Sequence, residues 1–550
     1  DNVRDKVYGA MLRADTDEEA MKLSSDAKDA AELIRWSLDK IETPEAAKDT
    51  LGYTNDLMTS VAKSTELLVD STSDATERKA ATESALKATK ASTDNALNTI
   101  NIILKKGNQT ETLDDLVDSF AATVLEVKKN ITPEAQQQLD ALITNSTQEF
   151  LNKQTRITTE TRDDGYVALF NDISLVDLEV LNTRTIELTK KLLEKTKTTP
   201  IKAVVPSIML SVDTKRQDQV VAYIDKPSLN AAGLSDEASV VVSTPIGSLE
   251  IPNEIRTADR GNQIKVSLKR VPRETQSDAL KSFIKNDSQV IDVQLSVNKI
   301  SKTSFDTPVE VSIPYDSSKD TEHKLVVYHE KQDGTFEKLA GVYDPDTQMV
   351  TFKTTHLSQF FVKPAKSKFD DVTDASWAKK SIERLSALDI INGKDEYNFM
   401  PEEKVTRAEF ATMLSRLMNV VPETATGVVS TNSFKDVVDG QWYTATIKKV
   451  CEKGWMNGKS EDRFDPNGYI TEQEIACVIA KALTEYDYTL SEAIASDSDI
   501  PSWAQPSVTL IKQLGLTESL SARGFKPTEK AQRDEVAVLL DELSKILITN

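Results

Sequence analysis

The strongest constraint on this chain is a unit that recurs three times near its C-terminal end. Trp377, Trp442 and Trp503 mark it, separated by 65 and 61 residues. Around them the first copy reads FDDVTDASWAKKSIERLSALDIINGKDEYNFMPEEKVTRAEFATMLSRLM, and the second reads FKDVVDGQWYTATIKKVCEKGWMNGKSEDRFDPNGYITEQEIACVIAKAL. The third is more worn, SDIPSWAQPSVTLIKQLGLTESLSARGFKPTEKAQRDEVAVLLDELSKIL. A recurring unit fixes architecture before any local motif does. Each copy is a helix-loop-helix too small to bury its own apolar face, so the three are expected to share one core as a pseudo-threefold body.

Each recurring residue has a physical reason. Asp371, Asp436 and Asp499 precede the first helix and are expected to accept its orphan amide hydrogen bonds, while the Trp residues supply apolar area at its first turn. Gly393 and Gly458 are expected to turn the chain where a Cβ is strained. Phe399-Met400-Pro401, Phe464-Asp465-Pro466 and Phe525-Lys526-Pro527 pin the returning loop. Thr406 and Thr471 stand three residues before Glu409 and Glu474, the spacing of a capping box. Gln532 is a poorer cap, although Glu535 keeps the spacing.

The Asp-hydrophobic opening, the Trp, the Phe-x-Pro loop and the TRAE-like start of the second helix together resemble the S-layer homology repeat. The resemblance runs from Phe369 to about Leu547. It implies grooves between neighbouring repeats that bind secondary cell-wall polysaccharide, typically through a pyruvylated terminal sugar, with the TRAE-motif Arg meeting the carboxylate. Arg407 and Arg533 occupy that position. A guanidinium at a helix N-terminus suits the task, because it combines a bidentate charge-assisted bond with the positive end of the helix dipole. Glu472 stands there in the second copy and repels an anion, so at most two grooves are expected to be competent. Lys394 and Lys459, just after Gly393 and Gly458, are candidates for supporting charge, and Trp377, Trp442 and Trp503 read equally as core or as sugar platforms. The plainer alternative makes Arg407 and Arg533 surface ion-pair partners.

Upstream, residues 1–198 are poor in Gly and Pro with apolar positions at three- and four-residue spacing, which predicts a helical bundle. Leu86, Leu97, Ile100, Ile103 and Leu104 form one stripe, with Lys87, Lys90, Asp94 and Asn101 off it. Thr43-Pro44-Glu45 and Thr132-Pro133-Glu134 read as helix starts. The abundant Thr and Ala read as a solvated bundle surface, with an extended rod or a partner-binding face as the alternative. From 199 to 365 the pattern alternates, with candidate strands at Ser239 to Ser243, Ile264 to Leu268, Ile291 to Val297, Val309 to Ile313, Leu325 to Tyr328 and Met349 to Phe352. Turn chemistry at Asp333-Gly334 and Asp344-Pro345-Asp346 separates the last of these, and a β-sandwich is expected. The fold class is thus multidomain α + β: a bundle, a sandwich, and repeats at 369–428, 429–492 and 493–550.

A net charge of −21 argues against nucleic acid as a partner, because phosphate binding needs clustered Lys and Arg. No apolar run is long enough for a transmembrane segment. Asp1 opens into helix-like sequence without a cationic, apolar leader, so the chain is expected to be a mature product or a fragment. Asp465 to Glu474 imitates the end of a calcium-binding loop, but Arg463 falls at its first ligand position and opposes the ion. His323, His329 and His356 read as strand residues, and no phosphate loop, dinucleotide fingerprint or nucleophile elbow is present. Cys451 and Cys477 read as free thiols, with a bridge between two helices as the alternative.

The expected activity is therefore non-covalent retention on the wall at the cell surface of a Gram-positive bacterium, with no enzyme, cofactor or metal. The expected protein is an S-layer or S-layer-like structural one that contacts itself in a lateral array. The alternatives are the anchoring end of a polysaccharide-degrading enzyme, or an adhesin or scaffold.

Overall fold

The computed structural model describes residues 75–106, 110–154, 156–161, 166–170 and 175–198. It also describes 207–316 with short gaps at 216–217, 232–237, 258–262 and 286–287, then 325–364, 369–420 without 374–375, 434–489, 500–520, 523–549, and isolated positions at 46–62, 200 and 202. Its contacts divide the chain into two units. One is helical; the other holds most of the sheet and all three repeats. Thr43, Asp499 and His323 lie outside the described residues. No helix among the described residues is long and apolar enough to cross a membrane.

In the helical unit α1 (Ala75–Lys106) packs on α2 (Thr110–Lys129) and α3 (Pro133–Gln154), and α4 (Leu175–Lys195) packs on α2 and α3. The stripe Leu86, Leu97, Ile100 and Ile103 is buried with Val117, Phe120, Val124 and Leu188. Lys90 lies off it and pairs with Asp94 at 2.8 Å. Thr132 caps α3, accepting from the Ala135 amide at 3.3 Å.

The Thr-rich composition has a different use from the solvated surface expected. Thr89, Thr93 and Thr99 are buried in α1, and each hydroxyl donates to the carbonyl four residues earlier at 2.7 to 2.8 Å. A hydroxyl satisfied by its own helix can enter a core without a partner from outside.

The middle region corrects the β-sandwich expectation. Its strands are β1 (Arg156–Glu160), β2 (Val167–Phe170), β3 (Ser207–Asp213), β4 (Gln219–Asp225), β5 (Ser239–Thr244), β6 (Gly247–Glu250) and β7 (Gln263–Arg270). They continue with β8 (Val290–Val297), β9 (Ile300–Lys302), β10 (Ser304–Pro314), β11 (Leu325–Glu330), β12 (Phe336–Asp344), β13 (Met349–His356) and β14 (Gln359–Pro364). Short helices α5 (Lys226–Ala231), α6 (Asn253–Thr257) and α7 (Asp278–Phe283) interrupt them.

Thirteen of the strands follow one hydrogen-bonded path, β1-β3-β5-β6-β10-β13-β12-β11-β14-β8-β7-β4-β2, with β9 paired to β8. A sandwich needs two sheets face to face; this is one continuous, barrel-like sheet. The two ends of the path, β1 and β2, are joined by only six residues, which limits how far apart they can lie. The signal missed was the pair of short strands inside the segment read as helical.

All but the last residue of β11 is buried. Alternation sends Val326 and Tyr328 to one face, where they meet Phe283, Phe361 and Leu388. Val327 and His329 lie on the other. Because both faces are covered, the strand lacks the polar alternation of a half-exposed one.

The repeats supply α8 (Lys379–Ala387) and α9 (Arg407–Leu417), α10 (Thr444–Glu452) and α11 (Glu472–Leu483), and α12 (Gln505–Gln513) and α13 (Arg533–Thr549). Packing runs between copies: α9 lies on α10, α11 on α12, and α13 on α8. Their centre is a cycle of backbone bonds. The Val405 amide donates to Ala531 at 3.0 Å, Ala531 to Ile470 at 3.0 Å, and Ile470 back to Val405 at 3.1 Å. All three side chains are fully buried.

Candidate functional site

The cycle brings the first residue of each second helix against the next copy's returning loop. The Arg407 amide donates to the Gly468 carbonyl at 2.9 Å, Glu472 to Glu529 at 3.2 Å, and Arg533 to Glu403 at 2.9 Å. Thr406 and Thr471 form complete capping boxes with Glu409 and Glu474. At the third start only the Glu535 half is present, accepting from the Gln532 amide at 2.6 Å.

Asp371 and Asp436 do not cap the following helix. Each carboxylate accepts two amides of its own returning loop: Asp371 from Phe399 and Met400 at 2.8 and 2.6 Å, Asp436 from Phe464 and Asp465 at 2.9 and 2.7 Å. Met400 and Asp465 adopt left-handed backbone, φ 57° and 65°. That conformation is costly away from glycine, and the paired amide bonds hold it.

Gly393 and Gly458 are required for space, because neither adopts positive φ. A Cβ on Gly393 meets the Asp395 and Asn398 carbonyls at 2.5 and 2.6 Å and the Phe369 ring at 2.6 Å. At Gly458 it meets the Phe434 ring at 2.3 Å.

The two arginines reach across copies. Arg407 Nε donates to Phe464 O at 3.0 Å and its Nη2 to Asn457 O at 2.6 Å, with the guanidinium 4.7 Å from the Phe464 ring. Arg533 repeats the pattern on the first copy, donating to the Phe399 and Asn392 carbonyls and lying 4.3 Å from the Phe399 ring. Both side chains are largely buried, and neither forms a salt bridge among the described residues. Burial pulls both pKa values down, partly countered by nearby carboxylates, Glu474 and Asp465 for Arg407 and Glu409 and Glu403 for Arg533. An arginine remains charged nonetheless. Nη1 of each makes no hydrogen bond to a described residue, which leaves one guanidinium edge for a ligand.

Two clefts result. One gathers Arg407 with Gly458 and Lys459; the other gathers Arg533 with Gly393 and Lys394. The lysines are engaged: Lys394 with Glu409 at 2.6 Å and Glu403 at 3.4 Å, Lys459 with Glu474. Burial pushes the Glu409 and Glu474 carboxyls up, but the lysines and the capping amides prevail and hold both below the usual range. Glu474 therefore spends its oxygens on Lys459 and the Thr471 amide.

At the third junction Glu472 is buried and accepts from the Lys526 amide at 2.6 Å. Burial pushes its pKa up to about 7, helped by the Glu535 and Glu529 charges. The structure also separates the three tryptophans. Trp377 is half-buried and donates to Asp534 at 3.0 Å, whereas Trp442 and Trp503 are 61% and 57% exposed. Trp442 touches Tyr443 edge-on at 5.2 Å. Among the described residues the fully buried tryptophan is Trp455, inside the second copy where the first has the buried Ile390.

Tyr469 escaped the sequence reading. It is 51% exposed and bridges to Thr406 beside Arg407. The corresponding bridges use Lys404 and Lys530, so no repeat signal marks it. Cys451 and Cys477 are both free thiols. Burial raises the pKa of each, to about 11 for Cys451; Arg407 neighbours Cys451 and Ser507 bonds Cys477.

A family model described as the S-layer homology domain matches residues 368–411 and 433–476. The third helix pair falls outside both matches; its place in the ring rests on the bonds above. Among curated proteins, the amylopullulanase of Thermoanaerobacterium thermosulfurigenes is 30% identical over 258 residues, 46% of this chain and 13% of that protein. The exoglucanase XynX of Acetivibrio thermocellus is 30% identical over 177 residues, 31% of this chain and 16% of that one. The S-layer protein of Bacillus thuringiensis subsp. finitimus is 27% identical over 187 residues, 34% and 22%. The matches thus span less than a quarter of each of these relatives.

Proposed function

Because the chain is an S-layer-homology-domain protein of the cell surface, we propose that its repeats hold it to an acidic wall glycan without making or breaking a bond. The supporting observation is the pair of oriented guanidiniums, Arg407 and Arg533, each fixed by two carbonyls with Nη1 unspent. Such an edge at a helix N-terminus favours a carboxylate, the group that a pyruvylated secondary cell-wall polysaccharide presents. Glu472 replaces the oriented guanidinium at the third junction, so two clefts bind. Self-association in a lateral array, as in an S-layer, is the accompanying reading for the rest of the chain.

The test is co-sedimentation of the full chain with purified walls, before and after removal of pyruvyl groups. Retention falls with Arg407→Lys and Arg533→Lys, which keep the charge and lose the fork. Unchanged retention by the double variant at raised salt overturns the assignment.

A second reading has one specific support. The amylopullulanase match covers 46% of this chain, more than residues 369–550 alone supply, so it extends into the sheet. Under this reading, sheet and repeats form the wall-anchoring end of a polysaccharide-degrading enzyme. A catalytic domain encoded continuously with this chain supports it.

A further inference from the structure

The sheet face that carries Val327 also carries a cluster that wall anchoring does not use. His329 on β11 lies opposite Glu337 on β12 in the strand register, and His329 Nε2 sits 2.7 Å from Glu337 Oε2. His356 ends β13, the strand next to β12, and its ring centroid is 4.2 Å from that of His329. One ligand atom from each of the three residues lies within 4.8 Å of the others.

Three details point to an ion. His356 Nε2 is buried with no hydrogen-bond partner among the described residues, and an orphaned buried nitrogen asks for an explanation. The His329 Nδ1 is 3.2 Å from the Glu330 carbonyl. A bond there fixes the tautomer that bares Nε2, as the outer partner of a metal-bound histidine does. Thr354 Oγ1 stands 3.4 Å from the other nitrogen of His356. Phe360 lines the site, with centroids 6.0 and 6.2 Å from the two imidazoles, so it is apolar on one side. Glu337 is 38% exposed and opens it on another. The Lys331 charge reaches His356 and opposes a dication, which the Glu337 carboxylate offsets.

We propose that His329, Glu337 and His356 form a binding site for a divalent transition metal of the zinc class. Two imidazoles and one carboxylate suit zinc, copper or nickel and disfavour calcium and magnesium, which take oxygen. Three protein ligands leave a fourth position for water. The ion ties together β11, β12 and β13, the strands nearest the repeats. Ligand atoms about 2 Å from zinc stand farther apart than the present His329–Glu337 contact, so the Glu337 side chain rotates outward on binding.

The test is titration of the chelator-stripped full chain with cobalt, read by visible absorption and by calorimetry. One equivalent is expected, displaced by zinc and indifferent to calcium. His356→Ala and Glu337→Gln are each expected to weaken uptake more than about tenfold. Glu337 is on the rim, so its variant tests the site even if His356→Ala fails to fold. A Cys451→Ser/Cys477→Ser variant is expected to keep the full equivalent. Substoichiometric uptake by the parent, parental affinity in Glu337→Gln, or loss of uptake in the cysteine variant each overturns the site.

Discussion

Arg407 and Glu472 hold the same place in successive repeats, and both are buried against the next copy's returning loop. The guanidinium donates to carbonyls of that loop, while the carboxylate accepts an amide from it. The position is therefore an interlock of the ring first, and its charge is a second property. Exchanging Arg for Glu keeps the interlock by reversing donor and acceptor, and removes the cation.

That reversal makes the ring sensitive to pH. Burial raises Glu472 from 4.5 to about 7 in the folded chain, so folding favours its neutral form. The stabilising contribution is fully present below about 4.5 and lost as pH rises through about 7. Glu310 behaves alike: burial, with Glu250 opposite on β6, raises it to about 7. Urea unfolding of the parent is expected to show stability falling between pH 5 and pH 8. Glu472→Gln removes its share, on the order of 3 kcal/mol. An unchanged slope in that variant contradicts the burial argument.

The loop glycines divide by mechanism. Gly393→Ala forces two carbonyls and a ring apart, an overpacking cost of about 1–3 kcal/mol. Gly440 has open space around it and φ 79°, so Gly440→Ala costs only the left-handed penalty, about 1–2 kcal/mol. The discriminating measurement is Gly440→Asn, which tolerates that φ and recovers stability, whereas Gly393→Asn does not.

The exposed tryptophans separate binding from folding. Trp442→Ala and Trp503→Ala are expected to shift stability within about 0.5 kcal/mol, because both are mostly exposed. If they are sugar platforms, wall retention falls while unfolding is unchanged. Trp377→Ala is expected to cost stability, about 1 kcal/mol, since the buried Asp534 oxygen loses its indole donor and keeps only Arg523 at 3.0 Å.

The repeats were legible because their residues serve local geometry: capping boxes at Thr406 and Thr471 follow from spacing alone. The target of Asp371 was not legible, since its partners, the Phe399 and Met400 amides, lie 28 and 29 residues away across a loop. Gly393 was found for the wrong reason, because crowding by Phe369 is invisible to propensity. Strand existence was readable from alternation, but the closure of those strands into one sheet depends on pairings such as β10 with β6 and β13, which periodicity does not encode. The exposed Trp442 and Trp503 and the core Trp455 differ in burial, and residue type could not tell them apart.

The repeat body is also fastened to the sheet through one buried charge. Arg384 on α8 donates to Asp541 and Ser544 on α13, and its other nitrogen donates to the Gly341 carbonyl of β12 at 2.9 Å. Arg384 and Asp541 side chains are each only 4% exposed. Without Arg384 the buried Asp541 carboxylate keeps only Lys545 at 3.1 Å and the Ser381 hydroxyl at 3.0 Å, so Arg384→Met is expected to cost about 3 kcal/mol at neutral pH. Burial pushes the Asp541 carboxyl up, but the Arg384 and Lys545 charges hold it below its usual value. This contribution is present above the unfolded pKa and lost as pH falls through the folded one, so the defect shrinks in acid. Adding Asp541→Asn to Arg384→Met removes the under-compensated buried charge and is expected to recover part of the loss. Limited proteolysis between Pro364 and Phe369 reads whether the body has come loose: cleavage should quicken in the single variant, and parental resistance there means the sheet holds the repeats by other contacts.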